Sequence, residues 1–165
     1  MLRAPKLILV LAFGLTALAG CGQPTSTATS SSNETPAPAA TPEMTPEQIN
    51  TEVSALPPPY NTADYNAGKQ VFNQCRSCHS VEVDGGNRVG PNLHGVMGRP
   101  VGSVPGFSYS EALQHAGFIW DPDKLDRWVT GPQAFIPNSR MAFAGVRDPV
   151  ERRNLIAYIM IEGSR

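Results

Sequence analysis

The sequence predicts a small all-α domain behind a long N-terminal extension, on three observations. Apolar residues recur at spacings of three and four in segments that open with Ser, Thr or Asp caps, often with proline at the first helical position. The connections between them, densest from Ser80 to Pro105, are rich in Gly and Pro and show no strand-rich pattern. Composition also breaks near residue 60: eight of the 16 prolines lie between Gly22 and Pro59, in a stretch without Lys or Arg. The length of 165 residues fits one domain with appendages, and a net charge of −1 gives no sign of nucleic-acid binding.

The N-terminus reads as an export segment. Arg3 and Lys6 precede an apolar run from Leu7 to Leu18, which is too short to span a bilayer. It ends in Leu18-Ala19-Gly20-Cys21, which resembles the lipobox of bacterial lipoproteins. That resemblance implies diacylglycerol on the Cys21 thiol and cleavage before it, so residues 1–20 are expected to be a lipoprotein signal peptide. Two or more acyl chains, at about 0.8 kcal/mol per buried CH₂, anchor stably where one chain does not. Residues 21–59 are then the lipidated cysteine and a Pro/Ser/Thr-rich linker. Within it, Thr45-Pro46-Glu47-Gln48 has the form of a capping box before Ile49 and Val53, predicting a short helix to about Leu56 that Pro57-Pro58-Pro59 stops.

The folded domain is expected over 60–165, and a form starting at Tyr60 is expected to fold. A first helix fits Asp64 to Cys75, with Gly68 and Phe72 on one face. Ser108-Tyr109-Ser110-Glu111 reads as a capping box for a short helix ending near Gly117. Asp121-Pro122 opens another, carrying Leu125, Trp128 and Val129 as far as Gly131-Pro132. Asp148-Pro149 opens a last one with Leu155, Tyr158, Ile159 and Met160.

The chemistry concentrates in Cys75-Arg76-Ser77-Cys78-His79. Two thiols three residues apart and an adjoining imidazole form the attachment signature of a c-type haem. Each thiol can form a thioether with one porphyrin vinyl, and the imidazole can bind the iron. A thioredoxin-like pair would want a βαβ context, and a structural zinc site a second Cys or His pair; the only other cysteine is Cys21. A domain this small with long loops has little core of its own, and a covalently held haem would supply its apolar centre.

With that motif in place, the domain resembles a class I cytochrome c of the mitochondrial and bacterial c2 type. The likeness runs over nearly all of residues 64 to 161. It includes Gly90-Pro91-Asn92-Leu93-His94-Gly95, Gly98-Arg99, Phe107-Ser108-Tyr109-Ser110, Trp120, Ile136-Pro137-Asn138-Ser139-Arg140-Met141-Ala142-Phe143 and Leu155-Ile156-Ala157-Tyr158-Ile159. It implies an all-α fold of helices and loops wrapped around one covalent haem c, with terminal helices crossing near Gly68, Phe72, Leu155 and Tyr158. His79 and Met141 are the implied iron ligands, and a thioether raises the reduction potential relative to a nitrogen or oxygen ligand. Met97, Met160, His94 and His115 are the other side chains able to bind iron. The Pro91 carbonyl is implied to accept from the second ring nitrogen of His79, and Arg99, Tyr109 and Trp120 to hold the haem propionates. Two departures stand out. Trp128 occupies a position that usually carries tyrosine, and Gln133 and Ala134 replace lysines that usually surround the haem edge, while Arg140 keeps its charge.

The function this implies is one-electron transfer, without a catalysed bond change, by a carrier expected to be monomeric. The implied donor is a cytochrome bc-type complex, and the acceptor a haem–copper oxidase or photosynthetic reaction centre. The expected place is the periplasmic side of the cell membrane, lipid-anchored, with the outer membrane as the alternative. The rivals are a peroxidase-like enzyme and a haem-based gas sensor, each requiring a distal methionine that leaves the iron.

Overall fold

A computed structural model describes residues 42–165. Its helices are α1 (Pro46–Ala55), α2 (Tyr65–Arg76), α3 (Glu111–Gln114), α4 (Pro122–Thr130), α5 (Pro132–Phe135) and α6 (Pro149–Glu162), with a 3₁₀ turn at Tyr60–Thr62. Among the described residues there is no strand, only an isolated antiparallel bridge between Pro100 and Ile119. The export segment, Cys21 and the first part of the expected linker lie outside the described residues.

The fold is built on the crossing of α2 with α6. Asp64 caps α2 by accepting from the Ala67 amide, and Asp148 caps α6 by accepting from the Val150 and Glu151 amides. The helices approach closely because Gly68 has no side chain: a Cβ there would lie 2.1 Å from the Asn154 carbonyl oxygen and 2.9 Å from Tyr158 Cβ. Around the crossing, Tyr158 packs against Tyr65 and Phe72 with ring centroids 5.2 and 5.1 Å apart. The Tyr65 hydroxyl donates to Glu162 Oε1 at 2.6 Å, and Asn154 Oδ1 accepts from the Asp64 amide at 3.0 Å. Leu155 to Ile159 are all buried in succession, so this part of α6 is enclosed on every side rather than on one stripe.

Three elements differ from expectation. The short helix at Ser108–Gly117 is a single turn starting at Glu111; Ser110 is its N-cap residue and makes no side-chain capping bond. Helix α5 was not anticipated, because Gly131-Pro132 reads as a stop. Here Pro132 instead starts a new turn, with its carbonyl accepting from the Ile136 amide at 2.8 Å.

The third difference is at the N-terminal edge. The capping box forms as anticipated, with Thr45 and Gln48 bonding reciprocally, and α1 gives way at Leu56. Yet α1 is part of the folded body rather than of a spacer. Val53 and Tyr60 are buried in the main core, and Ile49 and Leu56 pack against it. Lys69 meets Glu43 at 2.7 Å, and the Arg165 guanidinium donates to the Pro42 carbonyl at 2.7 Å. The packed unit thus includes residues before the expected boundary at Tyr60. A form starting at Tyr60 is accordingly expected to fold but to melt below one starting at Pro42. Loss of Val53 burial alone costs about 1.5 kcal/mol, or a drop on the order of 5–10 °C for a domain of this size. Equal melting temperatures in calorimetry would show that α1 adds nothing to the core.

Candidate functional site

The motif begins in the last turn of α2 and continues just beyond it. The Cys78 and His79 amides both donate to the Cys75 carbonyl, at 3.0 and 2.9 Å, so the turn carries the three side chains as one unit. Cys75 and Cys78 are half-buried and are not joined in a disulfide. Burial pushes the Cys75 thiol up to about 11, with Cys78 adding to the effect.

His79 is only 9% exposed, and its Nδ1 lies 2.7 Å from the Pro91 carbonyl oxygen. A carbonyl only accepts, so Nδ1 carries the ring proton and Nε2 keeps its lone pair. Burial lowers the imidazole's proton affinity, opposed by the Pro91 carbonyl, and the ring therefore favours its neutral, ligand-competent form. No hydrogen-bond partner among the described residues takes Nε2. The ring is packed from the side by Gly90, whose amide donates to the Cys78 carbonyl at 2.8 Å. A Cβ on Gly90 would lie 2.3 Å from His79 Cε1, so glycine is required here by contact rather than by backbone angle.

From Pro91 the structure continues through a chain of bonds. The Asn92 side chain donates to Ser80 Oγ and the Glu82 carbonyl, at 3.0 and 2.9 Å, and accepts from the His94 amide at 2.5 Å. The Arg99 guanidinium donates to the Asn92 and His94 carbonyls, at 3.0 and 2.7 Å. Arg99 and Trp120 are then joined through the backbone: the Trp120 amide donates to the Arg99 carbonyl at 2.9 Å, and the Gly98 amide to the Trp120 carbonyl at 2.8 Å. Tyr109 lies close enough for its hydroxyl and the Arg99 cation to influence each other, while burial raises the Tyr109 pKa and lowers that of Arg99. Arg99, Tyr109 and Trp120 thus lie in one region.

These residues fit a covalently held haem. Arg99 is a half-buried cation with no carboxylate paired to it among the described residues. The Ser110 hydroxyl and His94 Nδ1 are buried without a hydrogen-bond partner. Unpaired polar groups of this kind suit anionic propionates. Sequence reasoning gave Ser110 no role of its own, because it fell inside a capping box read over Ser108–Glu111; Ser110 is instead the N-cap residue, and its hydroxyl makes no capping bond. Among the described residues, no three His, Cys, Asp or Glu side chains gather within metal-binding reach of one another.

Met141 lies half-buried against the core, as do Met97 and Met160. What distinguishes it is its loop. Pro137 leads a turn closed by the Ser139 amide and the Ile136 carbonyl at 3.3 Å, with Asn138 at a φ of 64°. His115 is exposed, and its Nδ1 sits 2.9 Å from the Glu111 carbonyl. Trp128 is buried, its ring 5.8 Å from that of Trp120.

Comparison with known proteins settles the family. The cytochrome c family profile matches residues 65–161. The chain belongs to the cytochrome c family. It is 43% identical over 97 residues to a cytochrome c of Gibberella zeae, covering 58% of this chain and 92% of that one. It is 39% identical over 100 residues to a cytochrome c2 of Rhodomicrobium vannielii, covering 61% and 80%. A cytochrome c-type cyt cy of Rhodobacter capsulatus is 41% identical over 99 residues, 59% of this chain and 49% of that one. As a class I cytochrome c the protein carries covalently attached haem c and is an electron carrier, not an enzyme. When bound, the haem supplies a one-electron couple.

The Gly90 contact gives a direct check on how the imidazole is held. Gly90→Ala is expected to displace the His79 ring and to destabilise the protein by about 1–3 kcal/mol, as overpacking does. Thermal melting and the fraction of chains bearing covalent haem report it. Wild-type values for both would show that the ring yields freely.

Proposed function

We propose that the protein is a lipid-anchored one-electron carrier whose haem is bonded to Cys75 and Cys78 and whose iron takes His79 and Met141 as its two protein ligands. The observation that carries this reading is the bond from His79 Nδ1 to the Pro91 carbonyl, 2.7 Å long, within the attachment turn. It orients the ring, fixes its tautomer and strengthens the Nε2 lone pair as a donor. Arg99, Tyr109, Trp120 and Ser110 hold the propionates, with the Arg99 cation compensating their charge. With both ligand positions taken from the protein, no substrate site is needed at the metal, and electrons pass through the haem edge.

Cys21 is the proposed lipid attachment site, with residues 1–20 a signal peptide and the Pro/Ser/Thr-rich stretch after Cys21 a spacer. No described helix is long and apolar enough to cross a membrane. The proposed location is the periplasmic side of the cell membrane. The proposed partners are a cytochrome bc-type donor and a haem–copper oxidase or photosynthetic reaction centre as acceptor. The domain from Tyr60 on carries 11 Lys plus Arg against 10 Asp plus Glu, so long-range steering by net charge is small and tethering takes on more of the encounter.

Met141→Ala tests the ligand set. The variant is expected to retain covalent haem, lose low-spin character, lower its reduction potential and bind CO, whereas the wild type stays inert to CO. An unchanged spectrum would move the ligand to Met97 or a histidine, and a wild type that already binds CO would favour a gas sensor or peroxidase-like enzyme. Cys21→Ser tests the anchor. Metabolic labelling with a fatty acid should mark the wild type and not the variant, and equal label in both would end the lipoprotein reading.

A further inference from the structure

The loop bearing Met141 is tied down by a side chain that the proposed mechanism does not use. Gln133 lies in α5, and its amide nitrogen Nε2 faces three acceptors on that loop. These are the Ser139 carbonyl at 2.7 Å, the Ser139 hydroxyl at 3.0 Å and the Met141 carbonyl at 3.3 Å. A primary amide has two protons, so one of them is shared between acceptors. Ser139 is only 7% exposed, and among the described residues Gln133 is the one partner of its carbonyl and hydroxyl oxygens. Gln133 itself is exposed, as is its contact with the Met141 carbonyl, so it is at the buried Ser139 oxygens that losing the amide leaves acceptors poorly reached by water.

The position of these bonds gives them a specific consequence. They join the first turn of α5 to the backbone on both sides of Arg140, ending on the carbonyl of Met141 itself. On the other side, the Arg140 guanidinium donates to the Ser108 carbonyl. The turn at Pro137 and Asn138 shapes the start of the loop, and the Gln133 amide holds its far end. For the Met141 sulfur to move away, the Met141 backbone must swing or its side chain must rotate, and the first route requires breaking the amide's bonds.

From this geometry we infer that Gln133 is a positioning residue for Met141, a latch that resists displacement of the thioether by competing ligands. The inference rests on Met141 being an iron ligand. It assigns to an uncharged, exposed side chain a task toward the loop it covers, at a position that resemblance alone would give to a lysine on the docking face.

The test uses the full haem-bearing protein and imidazole as the competing ligand. Gln133→Met keeps the length of the side chain and removes the donor; Gln133→Glu removes the donor and places a carboxylate against two carbonyls. Gln74→Met is the control, since Gln74 is exposed in α2 and its side chain makes no hydrogen bond among the described residues. Imidazole affinity of the ferric protein, followed by visible spectroscopy, should rise about tenfold in Gln133→Met and at least as much in Gln133→Glu, the equivalent of losing one to two neutral hydrogen bonds. Gln74→Met should match the wild type. In a Met141→Ala background imidazole should bind tightly whether or not Gln133 is replaced, because the latch then has nothing to hold. An equal gain from Gln133→Met in both backgrounds would refute the latch, as would affinity within twofold of wild type when Met141→Ala alone responds. Wild-type affinity in Met141→Ala would instead remove Met141 as the ligand, and the latch with it.

Discussion

The approach of α2 to α6 at Gly68 is the constraint from which the rest of the domain follows. With no side chain at that position, the α2 backbone lies against the Asn154 carbonyl, and Tyr158 is free to stack on Tyr65 and Phe72. Because α2 runs directly into the attachment turn, fixing its axis on α6 also fixes where Cys75, Cys78 and His79 emerge. A residue any larger at position 68 would separate the helices, and the displacement would reach the thiols about two turns further along.

Downstream of that crossing, order is passed on by hydrogen bonds more than by packing. The path runs from His79 to Pro91, from the Asn92–His94 loop to Arg99, and from Arg99 through the backbone to Trp120. Few of these groups lie in helices. Loops can serve here because the Pro91, Asn92, His94, Arg99 and Trp120 carbonyls are each met by a side chain or amide of the same network. The imidazole and the guanidinium are thereby parts of one network, and the electrostatic environment of one end is tied to the geometry of the other.

Much of this was legible in the chain before any coordinates. The caps at Asp64, Asp121 and Asp148 gave correct helix starts, because an N-cap is a local event decided by one side chain and the amides that follow it. The Cys-x-x-Cys-His run and its accompanying motifs named the family. What local rules could not supply was the tertiary use of residues with ordinary local roles. Ser110 was read as part of a helix start, yet its hydroxyl is buried away from the amides it could cap. Gln133 was read as a missing positive charge, and only the folded loop reveals what its amide meets. Helix α1 was recognised from its capping box, but nothing in a Thr-Pro-Glu-Gln run says whether the following apolar residues will find a core; Val53 does.

The segment that leads into α1 lies beside the residues that follow α6. The Arg165 guanidinium donates to the Pro42 carbonyl, so the backbone near residue 42 lies within one side chain's reach of the residues that follow α6. A chain cut before Pro42 could be joined from Arg165 to Pro42 through a few added residues, and new termini could then be opened elsewhere. The loop carrying Val83 and Val89, which are 58% and 80% exposed, suits such an opening in the sense that its tips face solvent. Opening there would also cut the chain between the attachment turn and the Pro91 carbonyl, separating in sequence two groups that the fold keeps 2.7 Å apart. A permuted chain would therefore reveal whether the imidazole is oriented by its short connection to Pro91 or by the assembled domain.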